Sequence, residues 1–179
     1  MLSLVIGGAR SGKSRYAQSL CSAGNRVVYL ATARAEDPEM SARIERHRAA
    51  RPAHWLTVEE PLEISSAVEH HAAVSDYILV DCLTLWLSNL CWQQRDAAPE
   101  AVENYAFREI ARFIASSAAG HVVAVTNEVG SGIVPETPLG RFFRDLHGLI
   151  NQEAARSADW VYHMVAGIAV TIKQPGGAR

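Results

Sequence analysis

The chain has 179 residues, 49% of them hydrophobic and 20% charged, with a formal net charge of -2. That length suits one domain spanning residues 1–179, and the absence of a basic surplus excludes the electrostatic footprint of a nucleic-acid binder. Three cysteines, Cys21, Cys82 and Cys91, form neither a CxxC pair nor a Cys/His quartet, which argues against zinc and for reduced, buried thiols.

Met1–Ile6 is apolar but only one strand long, without the basic start or apolar length of a signal peptide. No run approaches the roughly 20 apolar residues of a membrane span, so a soluble, cytoplasmic protein is expected. Leu2–Ile6 predicts a buried strand ended by glycines. Lys13 to about Ala23 predicts a helix that Gly24 stops. Arg26–Ala31 is a second strand. Glu36-Asp37-Pro38-Glu39 has the early proline and first-turn acids of a helix start, and that helix runs to about Ala50. Trp55–Val58 is a short strand and Pro61–His71 a helix. Tyr77–Val80 is a strongly apolar strand ending in Asp81, followed by a helix from Leu83 to about Gln94. After the polar stretch Asp96–Glu100 comes a longer helix to about Ser117. His121–Val125 is a strand that leads into Thr126-Asn127-Glu128. Gly130–Pro138 is a Gly- and Pro-rich loop, and Leu139–Ser157 is helical. Trp160–Val165 and Ala169–Ile172 form a hairpin joined at Ala166-Gly167, and Gln174–Arg179 is a frayed tail. Strands alternating with helices predict an α/β fold, a mostly parallel sheet covered on both faces, with the C-terminal antiparallel hairpin at its edge.

Gly7-Gly8-Ala9-Arg10-Ser11-Gly12-Lys13-Ser14 fits G-x-x-x-x-G-K-[ST], and the strand before it and helix after it are the context this motif requires. The glycines let successive N–H groups face inward as an anion nest, and the helix N-terminus adds its dipole. Lys13 is expected at the β- and γ-phosphates, with the Ser14 hydroxyl on Mg²⁺. Asp81 supplies a second magnesium ligand at a strand's carboxyl end, where open α/β sheets bind ligands. Its competing role is a cap on the next helix.

Met40, Ile44 and His47 fall on one helical stripe, with Arg43, Arg46, Arg48 and Arg51 around it. Spacing alone leaves two readings of His47: a semi-buried structural histidine on a solvated face, or a nucleophile toward phosphorus. In the second, neighbouring positive charge lowers its pKa and keeps it neutral, while the arginines neutralise an incoming phosphate. His54 is the rival nucleophile. His70 and His71 end a helix, where a cation suits the dipole. His121, His147 and His163 carry no assignable role. Asp81 and Glu128, both at strand ends, are candidate bases for a kinase step. Trp86, Trp92 and Tyr105 are either core or the lining of a substrate pocket.

Four blocks resemble a known family: GGARSGKS at Gly7–Ser14, ATARAEDPEM at Ala31–Met40, RIERHRAARPAHWLTVEEP at Arg43–Pro61, and TNEVGSGIVPETPLGRFFRDLHGLINQ at Thr126–Gln152. The family is the bifunctional adenosylcobinamide kinase / adenosylcobinamide-phosphate guanylyltransferase of cobalamin biosynthesis. The resemblance implies phosphorylation of adenosylcobinamide by ATP or GTP. GMP from GTP then passes through a guanylyl-histidine to the phosphorylated cobinamide, giving adenosylcobinamide-GDP. The guanylylated histidine falls on His47. Further nucleotide contacts are implied at Thr32, Ala33, Arg34, Arg48, Ala49, Ala50, Arg51, Glu59 and Asp81. A RecA-type P-loop core, a three-layer sandwich, and a homotrimer are implied as well. Leu83–Ser117 is the least matched segment.

Two activities on one loop are chemically coherent, since attack at the γ- or the α-phosphorus needs the same Mg²⁺ and positive charge. Movement of the His47 helix relative to the loop, hinged at Ala35–Pro38 and Arg51–Pro52, is expected to select between them. The alternatives are a P-loop small-molecule kinase without guanylyl transfer and a RecA-like motor ATPase. The short chain and the missing basic surface count against the motor.

Overall fold

The computed structural model describes residues 1–35, 38–49 and 51–176, without the side chains of Glu39 and Arg43. The expected helix-start acids Glu36 and Asp37, the candidate contact Ala50 and the last three residues of the expected tail lie outside the described residues. Seven strands form one sheet: β1 (Leu2–Gly7), β2 (Val27–Ala31), β3 (Leu56–Glu59), β4 (Tyr77–Asp81), β5 (Val122–Asn127), β6 (Trp160–Val165) and β7 (Ile168–Lys173). Their spatial order is β3-β2-β4-β5-β1-β6-β7, parallel throughout except for the terminal β6–β7 pair. Central strands of a parallel sheet are covered on both faces and read as apolar runs; all six residues of β1 are buried.

Alternation along the strands divides the core in two. Leu4, Ile6, Leu30, Val80 and Ala124 face four helices: α3 (Ile64–Ala72), α4 (Leu83–Gln93), α5 (Pro99–Ser116) and α6 (Pro138–Ser157). Val5, Tyr29, Leu79, Val123 and Val125 face Ala17 and Cys21 of α1 (Lys13–Cys21). Burial raises the Cys21 thiol to about 12, keeping it in its apolar, unionised form. The remaining helix, α2 (Pro38–Ala49), is carried on the excursion between β2 and β3. Proline occupies the first turn of α5 and of α6, where its missing N–H costs nothing. The Thr137 hydroxyl caps α6 by accepting from Gly140 N at 3.1 Å, a contact that contributes about 1 kcal/mol.

Several elements depart from the expected bounds. β5 runs on through Thr126 and Asn127, because Asn127 continues the ladder opposite Gly7. α3 starts at Ile64 rather than Pro61, because Glu60 Oε1 accepts from Leu62 N and Glu63 N, each at 2.9 Å, and holds that stretch as a turn. The Gly130–Pro138 loop opens with a short 3-10 turn, Val129–Ser131. Trp86, considered for a substrate pocket, is fully buried, and its indole N–H donates to Leu62 O at 2.9 Å. It is core because α4 turns that face onto the sheet. Tyr105 packs partly buried against the same core, whereas Trp92 is exposed with Arg95 over its ring. Among the described residues, no helix is long and apolar enough to cross a membrane.

Candidate active site

Parallel pairing brings distant segments to one sheet edge. Ala31 lies opposite Glu59 on one side and Asp81 on the other; Asp81 lies opposite Val125, and Asn127 opposite Gly7. The carboxyl ends of β3, β2, β4, β5 and β1 therefore converge, as ligand sites in open α/β sheets require.

The loop from Gly7 to Ser14 leaves β1 at this edge and enters α1. Gly12 has φ 95°, and a Cβ there would stand 3.3 Å from Gly167 Cα. Position 12 therefore favours glycine for conformation and for space. A Cβ on Gly7 would lie 2.6 Å from Met164 O. Gly167 N donates to Ser11 O at 3.0 Å, so the turn of the terminal hairpin braces the loop. Gly8, Ala9 and Arg10 are exposed and Ser14 is half-buried. Lys13 is only 8% exposed, and its Nζ donates to Gly8 O at 2.5 Å. The ammonium is thus folded onto the loop that it is expected to serve.

Thr32 is buried and stitches two strand ends together: its hydroxyl donates to Cys82 O and accepts from Cys82 N, each at 2.8 Å. Asn89 Nδ2 donates to Thr32 O at 2.8 Å and Pro61 O at 3.1 Å, fastening both roots of the excursion that carries α2. Ala33 and Arg34 are half-buried beyond Thr32, while Glu59, Arg48 and Ala49 are exposed.

His47 lies in the last turn of α2, with 38% of its side chain exposed. Its Nδ1 is 3.9 Å from Asp81 Oδ2, and the same oxygen accepts from the Tyr29 hydroxyl at 2.6 Å. Burial, then the charge and hydrogen bond of Asp81, push the Tyr29 phenol upward, so it stays a donor. The Arg51 guanidinium carbon lies over the Tyr29 ring, 3.4 Å from its centroid, a cation–π contact. Arg46 Nε bonds Ala42 O of its own helix. Among the described residues, the Asp81 carboxylate is in ion-pair range of His47. The cause is the parallel register, which sets β4's end beside β2's. Two buried polar atoms have no hydrogen-bond partner among the described residues, Ser11 Oγ and Arg51 Nε. Both belong to segments expected to touch nucleotide, and such orphans suit an absent ligand.

The rival histidine is removed by topology. His54 precedes β3 and lies with Asn25, Arg26 and His71 at the amino ends of the strands, opposite the loop. The half-buried Glu128 follows β5, and its N–H donates to Gly7 O at 3.0 Å. A buried network escaped the sequence reading: Thr84, Thr126, His147 and Asn151 meet under the end of β5. Burial drives the His147 imidazole down to about 4. Its only sequence signal is a polar stripe, His147 and Asn151 four apart on α6.

A phosphate-type loop between strand and helix at the carboxyl edge of a mainly parallel sheet defines a P-loop nucleotide-binding protein. The fold resembles a solved prototypical ATPase from the type III secretion system of pathogenic bacteria, with a TM-score of 0.57 over 95% of this chain and 56% of that one. At 9% identity, that likeness concerns the fold alone. The chain belongs to the cobinamide kinase / cobinamide phosphate guanyltransferase family, which it matches over residues 3–172. It is 42% identical over 181 residues to the bifunctional adenosylcobalamin biosynthesis protein CobU of Escherichia coli (strain K12), covering 97% of this chain and 100% of that one. The CobU of Salmonella typhimurium is 44% identical over 183 residues (97% and 100%), and the CobP of Pseudomonas aeruginosa 41% over 178 (97% and 98%).

Proposed function

We propose that the chain phosphorylates adenosylcobinamide with ATP or GTP, then moves GMP from GTP through a guanylyl-His47 to give adenosylcobinamide-GDP. The observation that carries this reading is the approach of His47 to Asp81, 3.9 Å between Nδ1 and Oδ2, at the sheet edge where the Gly7–Ser14 loop begins. With Nδ1 turned toward the Asp81 carboxylate, Nε2 is the ring nitrogen that serves as the nucleophile.

In this reading the loop amides of Gly8, Ala9, Arg10, Ser11 and Gly12 hold phosphate oxygens, and Lys13 exchanges its bond to Gly8 O for the β- and γ-phosphates. Thr32, Ala33, Arg34, Arg48, Ala49, Ala50, Arg51 and Glu59 frame the rest of the nucleotide. The Ser14 hydroxyl and the Asp81 carboxylate are hard oxygen donors that fit Mg²⁺; Asp81 Oδ2 is engaged by Tyr29, which leaves Oδ1 for the metal. When bound, magnesium supplies charge neutralisation on the phosphate oxygens. Residues 1–179 act as one catalytic domain in the cytoplasm. A homotrimer belongs to the same reading; Ile168, Val170 and Ile172 of β7, 68%, 51% and 62% exposed, are apolar surface that self-association would cover.

The test is incubation of wild type and His47→Ala with Mg²⁺ and α-labelled GTP, followed by denaturing electrophoresis. Acid-labile, base-stable label on wild type alone supports the reading. Unlabelled wild type that still binds nucleotide reduces the protein to a P-loop kinase.

A further inference from the structure

The strand between the two halves of the site has a polar tip without an assigned task. β5 lies between β1, which leads into the phosphate loop, and β4, which ends in Asp81. Asn127 is level with Gly7 and two residues beyond Val125, which is level with Asp81. Its backbone N–H donates to Thr84 Oγ1 at 2.9 Å, its Nδ2 donates to the same oxygen at 3.2 Å, and its carbonyl accepts from Asn151 Nδ2 at 2.9 Å. Among the described residues, the one polar atom of half-buried Asn127 without a hydrogen-bond partner is Oδ1, on the opposite branch of the amide from Nδ2.

A fully buried network holds this orientation; Thr84, Thr126, His147 and Asn151 are 8%, 0%, 1% and 5% exposed. Its protons can be counted. Thr126 donates to Asn151 Oδ1 at 2.7 Å. Asn151 spends one amide hydrogen on Asn127 O and turns the other to His147 Nδ1 at 3.4 Å. His147 Nδ1 is therefore the acceptor and Nε2 carries the hydrogen, which goes to Thr126 Oγ1 at 3.3 Å; the two lone pairs of Thr84 Oγ1 are filled by Asn127, so the Thr84 hydroxyl donates in turn to Thr126 Oγ1 at 3.5 Å. The tautomer follows from the network. A neutral imidazole completes it, in keeping with the burial of His147.

We propose that Asn127 Oδ1 accepts the hydrogen bond of the substrate hydroxyl in the phosphoryl-transfer step and aims that oxygen at the γ-phosphorus, with Thr84, His147 and Asn151 as positioning residues. The inference rests on the bifunctional reading and assigns one residue to one of its two steps. An outward acceptor repels phosphate oxygens but suits an O–H group. The hydroxyl nucleophile has a proton to offer along that bond. The imidazole Nε2 that attacks the α-phosphorus has only its lone pair. In the kinase step the new bond joins the substrate oxygen to the γ-phosphorus, the bond from the γ-phosphorus to the bridging oxygen breaks, and the nucleoside diphosphate leaves with the electron pair. The hydroxyl proton passes through the product phosphate to solvent; the amide orients it and does not take it.

The test compares wild type, Asn127→Ala, Thr84→Val and Thr84→Ser in two assays: phosphate transfer from γ-labelled ATP to adenosylcobinamide, and self-labelling with α-labelled GTP. For Asn127→Ala, kcat of the transfer is expected to fall by about 100-fold, with KM for ATP and the rate of self-labelling within about threefold of wild type. Thr84→Val, which frees the amide to rotate, is expected to lose about tenfold in the same kcat, and Thr84→Ser to restore it. Equal loss in both assays would overturn the proposal, since Asn127 would then only support the loop through its neighbours. An unchanged transfer rate would overturn it as well. If Asn127→Ala does not fold, the Thr84 pair decides alone. A wild type that takes no α-label defeats the bifunctional reading, while the kcat comparison still rules on Asn127.

Discussion

The phosphate loop and the histidine helix reach the same sheet edge from unlike supports. The loop is fixed at both ends and from outside: β1 is wholly buried, α1 buries Lys13, Ala17 and Cys21, and the Ala166–Gly167 turn bonds Ser11 O. Helix α2 has no buried side chain among its described residues, and in its last turn Arg46 and Arg48 are exposed and His47 is half-buried. What is fixed there is the pair of roots, gripped by Asn89. A phosphate cradle gains from preorganisation, because its dipoles need not rearrange during transfer. A nucleophile required in one of two reactions gains from an element that can approach and withdraw, and elements with little buried apolar surface are the ones that move at low cost.

That contrast can be broken from either side. Lys13→Ala touches the shared, rigid part and is expected to lower both activities by about 10³-fold, measured as transfer to adenosylcobinamide and as self-labelling with GTP. Loss of only one would mean that the two reactions do not share the loop. His47→Ala touches the lightly anchored helix and is expected to abolish self-labelling while the kinase rate stays within about threefold. Structures with and without GTP are expected to differ in the place of His47 relative to the loop; an identical position already in reach of the α-phosphorus would remove the case for motion.

Smaller effects sharpen the rigid side. His147 has a folded pKa of about 4, below the ordinary 6.5. The unfolded chain binds the extra proton between those values, so this contribution is complete above about pH 6.5 and is lost as the pH falls toward 4. Denaturant titrations across that window are expected to show a loss of up to about 3 kcal/mol from this group, and His147→Gln is expected to flatten the slope. Gly12→Ala forces a side chain into φ 95° against Gly167, for an expected loss of about 1–2 kcal/mol in the same assay and weaker nucleotide binding.

The strand-helix alternation, the loop motif with its flanking elements and the terminal hairpin were legible in the sequence, because each is a local pattern of apolar period and glycine placement. The His47 block is visible in the sequence as a cluster of residue types, but its spacing supports two readings and only the family resemblance favours the nucleophile. Pairing was not legible. Nothing in the spacing sets Asp81 beside Tyr29 and His47, nor separates His54 from them; the parallel register and the order β3-β2-β4-β5-β1 do so. Trp86 shows the same limit, since periodicity cannot tell which apolar face a helix turns to the core. Composition and local pattern by themselves determined the fold class and the loop, because those depend on residues close along the chain. The surroundings of Asp81, the brace on Ser11 and the grip on Asn127 were decided only in three dimensions, because each joins side chains dozens of residues apart, whose meeting depends on how strands pair and helices pack.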